Sequence, residues 1–159
     1  MSDRHAPSPR YDLCVLGAGP AGLAAAARAH DLGKTVALVD PGRPGGAGIA
    51  DGALSSKTLW HLAMDFARAR RSDRGYHGGQ LAVAWPELLA EVRRACDEAW
   101  AHGERLLAHL GQPSARGGRV DRVVGRGRFV APDLIEVDGP APTRIAADRF
   151  LLAVGSRPR

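Results

Sequence analysis

The spacing of apolar residues changes several times along this chain. Tyr11 to Leu16 is a nearly continuous apolar run that stops at a glycine, and Thr35 to Val39 is a second, rich in β-branched residues. Neither alternates cleanly, the pattern of strands buried on both faces of a parallel sheet. Between them, Pro20 opens an alanine-rich stretch of strong helix propensity that runs to His30 and is stopped by Gly33. Strand, turn, helix and strand are therefore predicted over Tyr11 to Asp40, a single βαβ unit. A glycine-rich loop follows from Pro41 to Gly52. Ser55 or Ser56 is placed to cap a helix in which Leu59, Leu62, Ala63 and Phe66 recur at helical spacing. A longer helix is predicted from Trp85-Pro86, with Leu89, Val92, Cys96, Ala99, Leu106 and Leu110 toward the core and Gly103 loosening its middle. After Gly111 the segments shorten. Val120 to Val124, Arg128 to Val130, Leu134 to Val137 and Arg144 to Ala146 read as a β-meander, with turns such as Asp138-Gly139-Pro140, and Phe150 to Val154 reads as a last apolar strand.

Composition narrows the class. The 159 residues have the length of one domain, and 45% hydrophobic with 25% charged residues is a globular balance. No apolar run approaches the roughly 20 residues of a membrane span. The net charge of +5 comes from basic residues scattered along the chain with few aromatics among them. That is an arginine-rich solvated surface and not a nucleic-acid site. The basic stretch Arg68 to Gly79 is read the same way. Residues 1–10 are polar and lack the apolar core of a signal peptide, so a flexible N-terminal tail and a soluble, cytoplasmic protein are expected. Cys14 falls in a strand pattern and Cys96 in a helical one, each a small buried hydrophobe more than half a disulfide. The histidines His61, His77, His102 and His109 show no metal-ligand spacing, and no metal site is expected.

The chemistry begins at Gly17-Ala18-Gly19-Pro20-Ala21-Gly22. A G-x-G-x-x-G turn leaving a strand and opening a helix suits a dinucleotide pyrophosphate. Gly17 permits the tight turn, Gly19 lets backbone amides approach the ligand, and Gly22 allows close packing of helix on strand. The helix then directs its N-terminal dipole and free N–H groups at the phosphates. Asp40, at the end of the next strand, is placed to accept hydrogen bonds from an adenosine ribose and would repel a 2′-phosphate. Lys57-Thr58 invites a phosphate-loop reading of another kind. That motif needs glycines where this chain has Asp51 and Ser56.

With this turn upstream, the segment Gly45-Gly46-Ala47-Gly48-Ile49-Ala50-Asp51-Gly52-Ala53-Leu54-Ser55-Ser56-Lys57 resembles the active-site stretch of the pyridine nucleotide-disulfide oxidoreductases, whose form is G-G-x-C-x-x-x-G-C-x-P-S-K. Gly125-Arg126-Gly127-Arg128-Phe129 is similar to the family's adenine-side segment, and Leu152-Ala153-Val154-Gly155-Ser156-Arg157-Pro158 to its A-T-G-S-x-P segment. The resemblance covers essentially the whole chain in order. It implies an α/β fold, a Rossmann-like FAD-binding domain of parallel sheet and flanking helices with a small β-meander, incomplete relative to the family. Residues 11–159 would be its N-terminal part, without the nicotinamide-binding and dimerisation domains. It implies FAD, with NAD(P)H as cosubstrate of a full-length form. Gly17, Gly19, Pro20, Ala21 and Gly22 would meet the pyrophosphate, and Asp40 the ribose, with Pro41, Gly45 and Gly46 bordering the ligand. Lys57 would lie near the flavin ring, Arg126 and Gly127 at the adenine, and Ala153 and Gly155 beside the cofactor.

The departures shape the expected activity. The family's redox cysteines correspond to Gly48 and Ala53, so no dithiol forms there and no catalytic residue carries over. The family proline is Ser55. The resemblance then implies a flavin-dependent NAD(P)H oxidoreductase without disulfide chemistry, closest in type to the soluble transhydrogenases, with homodimerisation only if the missing C-terminal domain exists. Two other readings are a truncated, non-catalytic nucleotide-binding module and an NAD-linked Rossmann dehydrogenase.

Overall fold

The computed structural model describes residues 10–73, 75 and 79–156. Most of the expected N-terminal tail, part of the basic 68–79 stretch including His77, and the Arg157-Pro158 ending lie outside the described residues. The elements in order are β1 (Arg10–Tyr11), β2 (Leu13–Leu16), α1 (Pro20–Asp31), β3 (Thr35–Asp40), α2 (Ala47–Ala50), α3 (Ala53–Ala69), α4 (Trp85–Leu110), β4 (Arg119–Val124), β5 (Arg126–Ala131), β6 (Leu134–Asp138), β7 (Thr143–Ala147) and β8 (Phe150–Leu152).

Two four-stranded sheets form, in the orders β4-β3-β2-β8 and β1-β7-β6-β5. The first is wholly parallel, and its central strands are buried on both faces, as their unbroken apolar runs require. Alternate residues divide between two cores. Val15, Val36, Leu38 and Val120 pack with Ala26 and Ala29 of α1 and Leu107 and Leu110 of α4. Cys14, Leu16, Ala37 and Val39 pack with Ile135, Val137, Ile145 and Ala147 of the second sheet. The fold is three layers: helices, parallel sheet, meander. Cys14 is fully buried and Cys96 half-buried, and neither is in a disulfide.

Five local expectations need correction. The run Tyr11 to Leu16 is not one strand. Asp12 divides it, because its carboxylate accepts from the Thr35 N–H (2.8 Å), the Thr35 hydroxyl (2.8 Å) and the Lys34 ammonium (3.0 Å). Those bonds hold its carboxyl down at about 2. Arg10–Tyr11 instead joins the second sheet beside β7. Arg119–Val124 is not part of the meander but pairs in parallel with β3, from Thr35↔Arg119 to Asp40↔Val124. The long excursion through α3 and α4 returns the chain in the same direction, as a parallel pair requires. The meander proper is β5, β6 and β7.

The serines do not cap α3. Gly52, in a left-handed conformation at φ +102°, holds the N-cap, and the Ser55 hydroxyl donates to its carbonyl (3.2 Å). Nor does Gly103 loosen α4, which runs unbroken through it. A Cβ there would come within 3.0 Å of Pro44 Cγ, so the glycine is a docking notch for the 41–46 loop. The predicted stripes are only partly inward. On α3, Leu62 and Phe66 are half-buried while Leu59 and Ala63 are exposed, since this helix leans mainly on α2 and α4 and not on the sheet. On α4, Leu110 is buried, Val92, Cys96, Ala99 and Leu106 are half-buried, Leu89 is exposed, and Leu107, not anticipated, is in the core.

Candidate functional site

The site lies at the carboxyl ends of the parallel strands, where open α/β sheets bind ligands. Gly17 leaves β2 at φ +108°, a conformation suited to glycine, and its N–H donates to the Val39 carbonyl at 2.8 Å. A Cβ on Gly17 would lie 2.3 Å from the Ala153 carbonyl oxygen. Ala153 is held there because its own N–H donates to Leu16 O (2.8 Å). Gly22 meets the other side of the turn, where a Cβ would be 1.8 Å from Gly17 O. These two glycines are therefore demanded by the protein's own packing.

Gly19 is different. Its backbone, φ −72° and ψ −179°, is extended and open to any residue, and a Cβ there would meet no atom within 4 Å. It is the N-cap of α1, where no side chain caps the helix and no acidic residue occupies the first turn. An uncapped N-terminus of a 12-residue helix, bare of side chains, is a cradle for an anion.

Asp40 and the loop after it close the cradle. One Asp40 oxygen accepts from the Ala18 N–H and the other from the Gly42 N–H, both at 2.7 Å. The Gly45 N–H donates to Ala18 O (2.8 Å), and a Cβ on Gly46 would sit 3.1 Å from Gly19 Cα. Gly45 and Gly46 have φ of +114° and +55°, so the loop folds over the turn along a path that favours glycine. Gly48 lies next, near Pro20; a Cβ there would be 3.9 Å from Pro20 Cγ, ordinary contact distance. Its φ is not positive, so neither backbone nor packing forbids a side chain at this position.

The structure thus gathers Gly17, Gly19, Pro20, Gly22, Asp40, Gly45, Gly46 and Ala153 in one place. Ala21 and Pro41 are exposed along its rim. Lys57 is exposed on α3 and has no ion pair or hydrogen bond within the described residues. Gly127 packs on the parallel sheet: a Cβ would lie 2.8 Å from Leu16 Cδ2 and 3.3 Å from Ile135 Cδ1. Arg126 lines a concavity of about 620 Å³ on the outward face of the meander with Arg128, Glu136 and Arg144. Gly155, at φ +71°, is exposed beyond β8. Sequence reasoning missed Arg122, which donates to Gly42 O at 3.0 Å and to Glu104 at 2.8 Å. The available signal was a cation two residues after Val120, on the face of β4 that meets α4.

Neither cysteine is among the gathered residues: Cys14 lies in the core between the two sheets and Cys96 on α4, and burial pushes the Cys14 thiol up to about 12. A thiol reagent at pH 8 is therefore expected to label Cys96 and spare Cys14 until urea is added. Labelling of both at equal rates in the native chain would contradict this burial. Among the described residues no group of three or more His, Cys, Asp or Glu side chains could hold a metal, and no helix is long and apolar enough to cross a membrane.

Comparison with known proteins matches residues 11–159 to the family model described as pyridine nucleotide-disulphide oxidoreductase. The chain belongs to this family. Among its relatives is the soluble pyridine nucleotide transhydrogenase of Mycobacterium bovis (strain BCG / Pasteur 1173P2), 32% identical over 157 residues, covering 93% of this chain and 31% of that protein. The enzyme of the same name from Pseudomonas aeruginosa (strain LESB58) is 30% identical over 152 residues, covering 93% and 31%. The dihydrolipoyl dehydrogenase of Chlamydia muridarum (strain MoPn / Nigg) is 29% identical over 150 residues, covering 94% and 30%. The chain spans about a third of the length of these family members.

Proposed function

We propose that residues 11–159 are the FAD-binding N-terminal part of a flavin-dependent NAD(P)H oxidoreductase that works without a dithiol. The observation that carries this reading is Gly19, a glycine required neither by its backbone angles nor by any protein neighbour, at an uncapped helix N-terminus. A ligand pressed against the main chain is a physical reason for glycine at such a position.

In this reading the turn from Gly17 to Gly22 holds the FAD pyrophosphate through backbone N–H groups and the α1 dipole. Asp40 accepts from the adenosine ribose with the acceptor capacity left after its two backbone bonds. Gly45, Gly46 and Pro41 border the ligand, Arg126 and Gly127 lie on the adenine side, and Ala153 and Gly155 line the approach to the flavin. Lys57, without an ion pair or hydrogen bond among the described residues, supplies a cation near the ring, where it would favour a reduced, anionic flavin. When bound, FAD supplies hydride acceptance from NAD(P)H and donation onward. With Gly48 and Ala53 in place of sulfur, the onward acceptor is a second nicotinamide or another non-disulfide molecule. The nicotinamide-binding and dimerisation domains belong to a longer protein in this reading. In this reading the protein is soluble, as the transhydrogenase names say of those relatives, and works in the cytoplasm.

Gly48 and Ala53 at the family's redox cysteine positions favour one second reading, a nucleotide-binding module without turnover. Calorimetric titration of the chain with FAD, ADP and NAD separates the possibilities. FAD and ADP are expected to bind, FAD the tighter, and NADH or NADPH to bleach the yellow complex once the family's remaining domains are present. Binding without bleaching in such a protein selects the module. A chain indifferent to both FAD and ADP would overturn the proposal, and NAD binding tighter than FAD would select a plain dehydrogenase.

A further inference from the structure

The cradle is anchored from one side by a contact that the family resemblance does not supply. Arg122 stands on the edge strand β4, in register with Leu38 of β3, and faces α4. One end of its guanidinium donates to Glu104 of α4 at 2.8 Å and the other to the Gly42 carbonyl at 3.0 Å. The N–H of the same Gly42 donates to Asp40 at 2.7 Å, and the other Asp40 oxygen receives the Ala18 N–H at 2.7 Å. A continuous chain of hydrogen bonds therefore runs from α4 through Arg122, Gly42 and Asp40 into the glycine turn.

Two more contacts from α4 hold the same loop. The Arg43 guanidinium carbon lies 4.3 Å from the centre of the Trp100 ring, and Pro44 fills the notch at Gly103. Trp100, Gly103 and Glu104 lie within about one turn of one another on a rigid helix. They leave the 41–44 backbone little freedom. Among the described residues Asp40 has no side-chain donor to orient it, only the amides of Ala18 and Gly42. Without the Gly42 amide in place its carboxylate is held at one oxygen only, by the Ala18 N–H, and gains rotation about χ2, which costs affinity for any ligand that must find it preset.

From this geometry we infer that Arg122 is a positioning residue for ribose recognition: by clamping Gly42 between β4 and α4 it orients the Asp40 carboxylate toward the hydroxyls of a nucleotide ribose. The inference rests on the proposed adenosine-binding role of Asp40. Arg122 touches no ligand in this scheme and acts through Gly42 alone. Lysine can replace only part of it, since a point cation cannot span Glu104 and Gly42 with the planar fork of arginine.

The test compares the affinity of the chain for ADP with that for 2′,3′-dideoxy-ADP, which lacks the hydroxyls, in wild type, R122A, R122K, D40N and D40N/R122A. Wild type is expected to prefer ADP by roughly tenfold or more, the worth of a charge-assisted hydrogen bond. R122A should lower that preference to about threefold or less through loss of ADP affinity, with dideoxy-ADP affinity unchanged, and R122K should fall between. D40N should abolish the preference, and adding R122A to D40N should change it no further. Thermal unfolding confirms that each variant is folded. A merely structural role would weaken both ligands together. R122A or R122K with the wild-type preference, or equal loss for both nucleotides, overturns the inference while leaving the Asp40 reading intact. A wild type that does not distinguish the nucleotides overturns that reading and, with it, the role of Arg122.

Discussion

Gly19→Ser is expected to leave the fold intact and to remove most of the affinity for FAD and ADP. The backbone at Gly19 is already extended, and a Cβ there meets nothing, so no strain is introduced. Serine is a better N-cap than glycine, and the variant should gain about 0.3 kcal/mol from bonding a free first-turn N–H. The same hydroxyl occupies the cradle and takes a donor that the pyrophosphate needs. Loss of one or two charge-assisted hydrogen bonds, about 1.5–3 kcal/mol each, corresponds to weakening of at least roughly tenfold. Thermal unfolding and calorimetry read the two effects separately. Unchanged affinity in a folded Gly19→Ser chain would remove the main support for a phosphate at this turn.

Gly22→Ala should act in the opposite way, through the fold before the ligand. Helix propensity alone favours alanine by about 1 kcal/mol. Against it stands a Cβ placed 1.8 Å from Gly17 O and 3.3 Å from Val15 Cγ1. Neither obstacle can retreat cheaply. Gly17 is tied to Val39 by its N–H and backed by Ala153, and Val15 is fully buried. Helix α1 must move off the sheet instead, opening the core around Ala26 and Ala29. A net loss of about 3 kcal/mol or more is expected, at the upper end of overpacking effects. Urea unfolding measures it, and the sign alone is decisive, because a stabilised variant would mean that helix and strand are not in this contact.

Much of this arrangement was legible in the sequence for identifiable reasons. The βαβ unit announced itself because each local signal agreed: an apolar run, a glycine turn, Pro20 at the helix start, and Asp40 where the second strand ends. The resemblance put Gly45 and Gly46 at the border of the ligand, but that their loop folds back over the turn came only with the structure. What failed was partner choice. Val120 to Val124 has the pattern of a strand, yet nothing in five residues says whether its neighbour is β3 or β5. Asp12 looked like one polar residue in a strand, and only the three-dimensional approach of Lys34 and Thr35 makes it a break. Gly103 illustrates the same limit. Within a helix its meaning depends on what crosses it, and Pro44 is 59 residues away in sequence. Arg122 was silent because its role comes from two partners, Glu104 and the Gly42 carbonyl, on different elements.

The cradle is bound together largely by main-chain atoms: Gly17 to Val39, Gly45 to Ala18, Ala153 to Leu16 and Gly125 to Asp40. Side chains contribute chiefly by being absent where backbones meet. In the proposed reading, scaffold and redox chemistry are consequently separable. The side chains at Gly48 and Ala53 are no part of the joinery, so an enzyme of this design would exchange one electron acceptor for another without recasting the mould that holds its cofactor.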